Sequence, residues 1–494
     1  MTEPTKTPEL IFGLVGPIGC NIQEVEDALS ASLKSVDYTP HTISLSNIAA
    51  EIQTLSSETG IKEPETLSEK IVAGNAARQK TGLNDILAMG AVTKIRKIRT
   101  ENGEEPNDDG SQRILPGHAF ILRQLKTKEE VRLLQKVYGD CFIQISIAQP
   151  LNDRISSLKT RIRAEDPSLD ETQISAQADK LVKIDDAEMN EFGQAVGNIF
   201  HLSDFFVNAT TTATIKDSVD RFVQALFGNN FISPTKCEMG SYFAKAISMR
   251  SNDLSRQVGA AILSSDGDVI AMGCNEVAKP FGGNYWSDDE KPMRDIDQEG
   301  ETNKVLTNQI IHDFLKALEE SGQLKSTREE ILSNEDASKA IKSSMISDIT
   351  EYGRVVHAEM NALSDAARLG RSTAGATIYV TTFPCHNCAK HIIASGISKI
   401  VYIEPYPKSK TLLLYEYALS TDQECEENVQ VEHFSGVSPK RFDSIFEKGR
   451  RRDSRNRVEK YYQGSKRPRV EMLGNNYTVS EALITKNYAS KFKL

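Results

Sequence analysis

The chain has 494 residues, 39% hydrophobic and 26% charged, a balance that excludes collagen-like, low-complexity and disordered proteins. No run approaches the ~18 consecutive apolar residues of a membrane span, and residues 1–8 lack the apolar core of a secretory signal, so a soluble cytoplasmic protein is expected. The net charge of −10 opposes constitutive binding to DNA or RNA, whose affinity rests on neutralising phosphates.

In chain order, Leu10–Gly16 is an apolar run that predicts a buried strand, followed by the Gly-rich turn Gly16-Pro17-Ile18-Gly19-Cys20. A helix is predicted over 21–33, with Asn21 as N-cap and Ile22, Val25, Ala28 and Leu29 on one face. Strand, glycine turn and helix together open a mononucleotide-binding unit. Residues 101–110 are acidic, punctuated by Gly and Pro, and read as an exposed loop. Predicted strands at 118–122 and 141–147 alternate with helices at 127–138 and 151–163, implying a parallel sheet covered on both faces. From about residue 235 the pattern changes. Apolar runs at 258–263 and 268–272 flank Ser264-Ser265-Asp266-Gly267, a hairpin signal. Residues 286–350 are charged and helical in pattern. A helix at 355–369, a strand at 376–381, a helix at 386–396 and a strand at 399–403 complete a second α/β region with a mixed sheet. Residues 440–469 are locally basic, and no repeat of fixed period is present.

Of the seven cysteines only Cys385 and Cys388 lie close together, in Pro384-Cys385-His386-Asn387-Cys388. With His357 of His357-Ala358-Glu359 they supply the His, Cys, Cys set of a catalytic zinc site, which uses three protein ligands and keeps one position open. Cysteines three apart at a helix start face one way, and a helix N-terminus favours thiolate over thiol. Glu359, two residues beyond His357, is placed to take a proton from an activated water and return it to ring N3 and the departing amino group. The spacing is the H-x-E…P-C-x-x-C pattern described for zinc nucleobase deaminases. The alternative is a structural site closed by His386 or His391, both expected to face outward.

These residues resemble the deoxycytidylate deaminase branch of the cytidine deaminase-like superfamily. Ser251-Asn252-Asp253-Leu254-Ser255-Arg256-Gln257-Val258-Gly259-Ala260 is similar to that family's opening segment, and Gly273-Cys274-Asn275 to its G-Y-N. The resemblance implies that Asn275 contacts the nucleoside. Arg256, where relatives usually carry Thr, is expected to pair with substrate phosphate or to be a solvated loop residue. Phe383 is expected on the pyrimidine ring or in the core, and Ala358 beside the substrate. Tyr406 and Lys408 lie where relatives carry specificity loops.

The N-terminal turn carries Gly13, Gly16 and Gly19 but no Lys-Ser/Thr of a working P-loop, so phosphoryl transfer is not expected. Two readings stand for it: a degenerate nucleotide-binding or regulatory site, or a scaffold that keeps its turn for packing. The order of elements resembles bacterial anti-phage dCTP/dCMP deaminases. It implies a P-loop kinase-like parallel-sheet domain over 1–230. A three-layer α/β/α deaminase domain would follow over 235–494, with a helical insertion at about 279–350. It further implies depletion of the dCTP pool, a nucleotide effector at the first domain, a small inhibitory RNA and a homo-oligomer. The competing functions are a single-stranded DNA or RNA cytidine deaminase and a catalytically silent nucleotide-sensing switch.

Overall fold

The computed structural model describes residues 7–55, 66–186, 196–298, 300–406, 408–422, 425, 427–458, 467–470 and 477–492. The chain divides into two compact units, Met1–Met239 with His433–Leu494, and Gly240–Glu432. The described residues from His433 on, expected in the second domain, therefore belong to the first unit. Among the described residues no helix is long and apolar enough to cross a membrane.

The first unit is built on β1 (Leu10–Val15), β2 (Thr39–Ser44), β3 (His118–Arg123), β4 (Phe142–Ala148) and β5 (Phe205–Asn208). They lie in the order β5-β4-β1-β3-β2 and are all parallel, and the short strand Gly436–Val437 adds antiparallel to β5. The central strands are apolar on both faces because helices cover both. Leu10, Phe12 and Leu14 pack with Val25, Leu29 and Leu33 of the helix Ile22–Ser35 and with Val219 and Phe222 of Thr212–Leu226. Asn21 does precede the first helix, but its side chain does not cap it; Nδ2 donates instead to the Ala209 carbonyl at 3.3 Å.

The C-terminal helix Tyr477–Phe492 is held to this unit by a buried ionic cluster. Arg99 donates through Nε to Glu9 at 2.9 Å and through a terminal nitrogen to Glu481 at 2.9 Å. Tyr138 and Tyr477 hydroxyls donate to Glu481 and Glu9 at 2.8 and 3.0 Å, so every charge in the cluster has partners. In the basic segment, Lys448 Nζ donates to the Asn230 carbonyl at 2.7 Å and Arg469 to that of Ile445 at 3.2 Å. Two of its cations thus serve this unit's own packing; residues 459–466 of the segment lie outside the described residues.

The second unit has β6 (Gly259–Leu263) and β7 (Val269–Cys274), joined by the predicted hairpin turn with Gly267 at φ +96°. A two-residue pair, β8 (Glu276–Val277) with β9 (Val355–Val356), runs antiparallel beside them. β10 (Thr377–Thr382) is antiparallel to β6 and parallel to β11 (Lys399–Glu404). β12 (Leu419–Ser420) and β13 (Val429–His433) complete the mixed sheet in the order β12-β13-β11-β10-β6-β7. Alternation along β10 sets the layers. Ile378 and Val380 face Ala358 and Ala362 of the helix Ala358–Arg368, while Tyr379 faces Gly240 on the other side. The helix predicted from 355 starts at Ala358, because Val355 and Val356 are committed to β9. The predicted insertion contains the helices Thr302–Glu320, Arg328–Ser333 and Glu335–Ser343.

Replacing Arg99 with Met leaves two buried carboxylates without their cation. A loss of roughly 3–5 kcal/mol from the first unit is expected, measured by urea unfolding followed by circular dichroism.

Candidate active site

Two helices begin side by side in the second unit. His357 is the N-cap of Ala358–Arg368 and Cys385 that of His386–Ala394. Neither side chain caps its own helix; both turn toward Cys388. His357 Nδ1 lies 3.4 Å from Cys385 Sγ and 3.3 Å from Cys388 Sγ, and the three ligand atoms lie within 4.8 Å of one another. Cys388 Sγ lies 3.4 Å from Glu359 Oε2.

Supporting contacts fix this geometry. Asn361, buried on the same helix, donates through Nδ2 to the carbonyls of Cys274 at 2.6 Å and Val356 at 3.1 Å, tying the helix start to β7 and β9. Gly273 permits that approach: a Cβ there would stand 2.5 Å from the Ala358 carbonyl oxygen. The Thr381 hydroxyl accepts the Gly259 N–H at 3.0 Å, fixing β6 beside β10.

The protonation pattern follows from these contacts. A hydrogen bond from Cys388, with the His357 imidazole beside it, lowers the Cys385 thiol to about 3. Bonding to Cys385 raises His357 to about 9. The bond to Cys385, with burial, pushes Cys388 well up. Burial also raises the Glu359 carboxyl. One thiolate is therefore ready-made, and a soft cation displaces the protons of the other two donors. Nitrogen and sulfur donors at this spacing suit zinc.

A cavity of about 320 Å³ opens onto this cluster. His357, Ala358, Glu359, Phe383 and Cys385 line it together with Asn275 and Arg256, so the sequence-predicted substrate residues converge on one space. Their roles differ in detail. Asn275 spends its amide on the backbone: Oδ1 accepts the Val258 N–H at 2.7 Å and Nδ2 donates to the Arg256 carbonyl at 2.8 Å. It thereby shapes the loop that carries Arg256. The Arg256 side chain is 45% exposed, 3.3 Å from Glu404 and stacked 5.3 Å from the Tyr406 ring centroid. Phe383 meets Tyr402 edge-on at 4.9 Å while its ring borders the cavity. His391 is exposed as expected, whereas His386 lines the cavity instead of facing away.

Several lining residues had no role assigned from sequence. Asp253 turns the loop by accepting the N–H groups of Ser255 at 2.8 Å and Arg256 at 3.2 Å. Asp295, Glu301, Asn303 and Thr350 come from the insertion. Asp295 is buried through Arg354, whose Nε donates to it at 3.0 Å, a pairing across 59 positions that no local pattern announces. Gly13, Gly16 and Gly19 belong to the first unit. A Cβ at Gly13 would meet Leu125 at 2.6 Å, at Gly16 the Cys20 sulfur at 2.5 Å, and at Gly19, whose φ is +86°, the Arg154 carbonyl at 2.5 Å, so local packing and backbone conformation favour glycine there.

Residues 238–404 match the family described as the cytidine and deoxycytidylate deaminase zinc-binding region. Over 55 residues the chain is 58% identical to the deoxycytidylate deaminase of enterobacteria phage T2, covering 11% of this chain and 29% of that protein. Over 154 residues it is 26% identical to the Homo sapiens deoxycytidylate deaminase, covering 31% of this chain and 56% of that one. The matches thus span less than a third of the phage relative and about half of the human one. The crystal structure of dCMP deaminase from cyanophage S-TIM5 in complex with dCMP and dUMP is also similar, at 20% identity and a TM-score of 0.24. That match covers 41% of this chain and 98% of the phage chain. The C-terminal region therefore carries a cytidine/deoxycytidylate deaminase-like domain, and zinc is its cofactor.

In metal-stripped protein, iodoacetamide at about pH 6 is expected to alkylate Cys385 well ahead of Cys388, because only the former is a thiolate there. Peptide mass spectrometry reads the ratio, and equal labelling contradicts the arrangement.

Proposed function

We propose that the second unit hydrolyses the 4-amino group of deoxycytidine nucleotides, dCMP and/or dCTP, giving deoxyuridine nucleotides and ammonia. The observation that carries this reading is Glu359, buried beside the His/Cys/Cys set and bordering a cavity whose exposed edge carries Arg256. The volume of about 320 Å³ falls at the small end of small-molecule sites.

When bound, zinc supplies a water acidic enough to ionise near neutral pH. His357, Cys385 and Cys388 would hold it. Glu359 moves the protons: it takes one from the attacking water, passes it to ring N3, and transfers the next to the departing amine. Burial raises its carboxyl toward neutral pH, where an acid–base shuttle works best. Ala358 leaves room beside the base, and Phe383 offers a ring edge to the pyrimidine. The Arg256 guanidinium, held in reserve by Glu404, exchanges that carboxylate for substrate phosphate through charge-assisted hydrogen bonds. Asp253, Asp295 and Glu301 place carboxylates on the cavity wall, which a phosphodiester strand would have to pass. Mononucleotides are favoured over single-stranded DNA or RNA for that reason. A silent switch would have no use for a retained Glu359.

The wider reading rests on the resemblance noted from sequence. In it, the first unit is a degenerate P-loop kinase-like domain with a nucleotide effector, and the protein works in the cytoplasm as a homo-oligomer. It depletes dCTP during phage infection and is restrained by a small RNA.

Glu359→Gln is expected to lose roughly 100- to 10,000-fold in kcat while metal analysis still finds zinc; retained uracil production overturns the assignment. Arg256→Ala is expected to raise KM for dCMP and dCTP by about tenfold or more and to leave deoxycytidine unchanged. Comparing these with a cytidine-containing oligonucleotide in one preparation separates nucleotide from strand chemistry.

A further inference from the structure

Three carboxylates border the cavity of the second unit, and they differ in what holds them. Asp253 is half-buried and accepts the loop N–H groups of Ser255 and Arg256. Glu301 lies 3.2 Å from Lys304 Nζ, with its side chain 24% exposed. The Asp295 side chain is only 4% exposed. Its Oδ1 accepts from both Nε and Nη2 of Arg354, and among the described residues nothing donates to Oδ2. A buried carboxylate oxygen without a donor costs free energy until a ligand or water completes it. Asp295 lines the cavity, which brings a ligand's donor within reach of that oxygen.

The wall around Asp295 is fixed from several sides. Arg354 Nη2 also donates to the Met293 carbonyl at 3.0 Å. Asn303 Nδ2 donates to the Ile349 carbonyl at 2.8 Å, and its Oδ1 accepts the Tyr352 N–H at 3.2 Å, so its amide serves the backbone. As the anionic half of an ion pair, Asp295 accepts hydrogen bonds and repels other anions. It suits a hydroxyl or amine of the substrate and not its phosphate. A deoxycytidine nucleotide has two groups that donate, the 4-amino group and the sugar 3′-hydroxyl. The amino group faces Glu359 in the reaction proposed above, which leaves the 3′-hydroxyl.

We propose that Asp295 Oδ2 accepts the 3′-hydroxyl of the bound nucleotide, which makes Asp295 a specificity-determining residue supplied by the insertion; this rests on the deamination reading above. Arg354 acts through Asp295, as a positioning residue. A nucleotide without the hydroxyl leaves the buried oxygen unpaired.

Steady-state kinetics of the full chain test this by comparing dCMP and dCTP, each with its 2′,3′-dideoxy counterpart. Wild type is expected to lose about tenfold or more in kcat/KM on the dideoxy nucleotide. In the double variant Asp295→Ala/Arg354→Met, which removes both halves of the pair, that ratio is expected to fall to about twofold or less. A merely structural pair would slow both nucleotides alike and leave the wild-type ratio in place, which overturns the proposal. Equal kcat/KM for the two nucleotides in wild type also overturns it, and that comparison needs no variant to fold. Failure of wild type to release ammonia from either dCMP or dCTP overturns the deamination reading itself, and this proposal with it.

Discussion

The second unit's chemistry depends on two helices starting at the same place. His357 and Cys385 are both N-caps, and Cys388 lies one turn into the second helix. Each helix begins where a strand ends, after β9 in one case and just past β10 in the other. Sheet register therefore decides where the imidazole and the thiolates meet. The hydrogen bond from Cys388 and the His357 imidazole stabilise thiolate at Cys385, and burial lifts the Glu359 carboxyl. The His/Cys/Cys set and the buried carboxyl beside it are thus governed by one geometric fact. Asn361 and Gly273 hold that fact in place, the first by hydrogen bonds to two strands and the second by having no side chain.

Much of this was readable in the sequence where the cause is local. The hairpin turn at 264–267 follows from Asp-Gly chemistry, and the glycine-turn helix follows from the apolar spacing of Val25 and Leu29. The His, Cys, Cys set is legible because zinc dictates residue type and helix geometry dictates spacing. What stayed hidden depends on distant partners. Asp295 looks like any acid in a charged insertion until Arg354 is seen beside it. Asn275 reads as a ligand contact, yet its amide is claimed by the Val258 and Arg256 backbone. The return of the described residues from His433 on to the first unit rests on distant partners, among them a strand of two residues and one buried arginine, neither of which has a local signature.

Ion pairs in this chain differ in how far they are closed off from solvent. In the deaminase-like unit, charge is placed beside a cavity and kept exchangeable: Arg256 leans on Glu404 at an exposed edge, where such a pair contributes little to stability. In the first unit two of the ion pairs are closed off. Arg78 meets Glu130 at 2.9 Å with both side chains at 2% exposure or less, and Lys126 meets Asp185 under the glycine turn. The first arrangement suits a ligand that comes and goes, and the second suits a fixed architecture.

The Arg99 cluster has a consequence for how the chain is made. Arg99 and Glu481 are 382 positions apart, and the whole second unit is encoded between them. At ribosomal rates, roughly 20 to 80 s separate the emergence of the two residues. During that interval the second unit has all of its own sequence available and can fold, while the first unit still lacks the helix that closes its ionic core. The earlier-encoded unit is thus the later one to be completed, and its nascent form is the species a chaperone would meet.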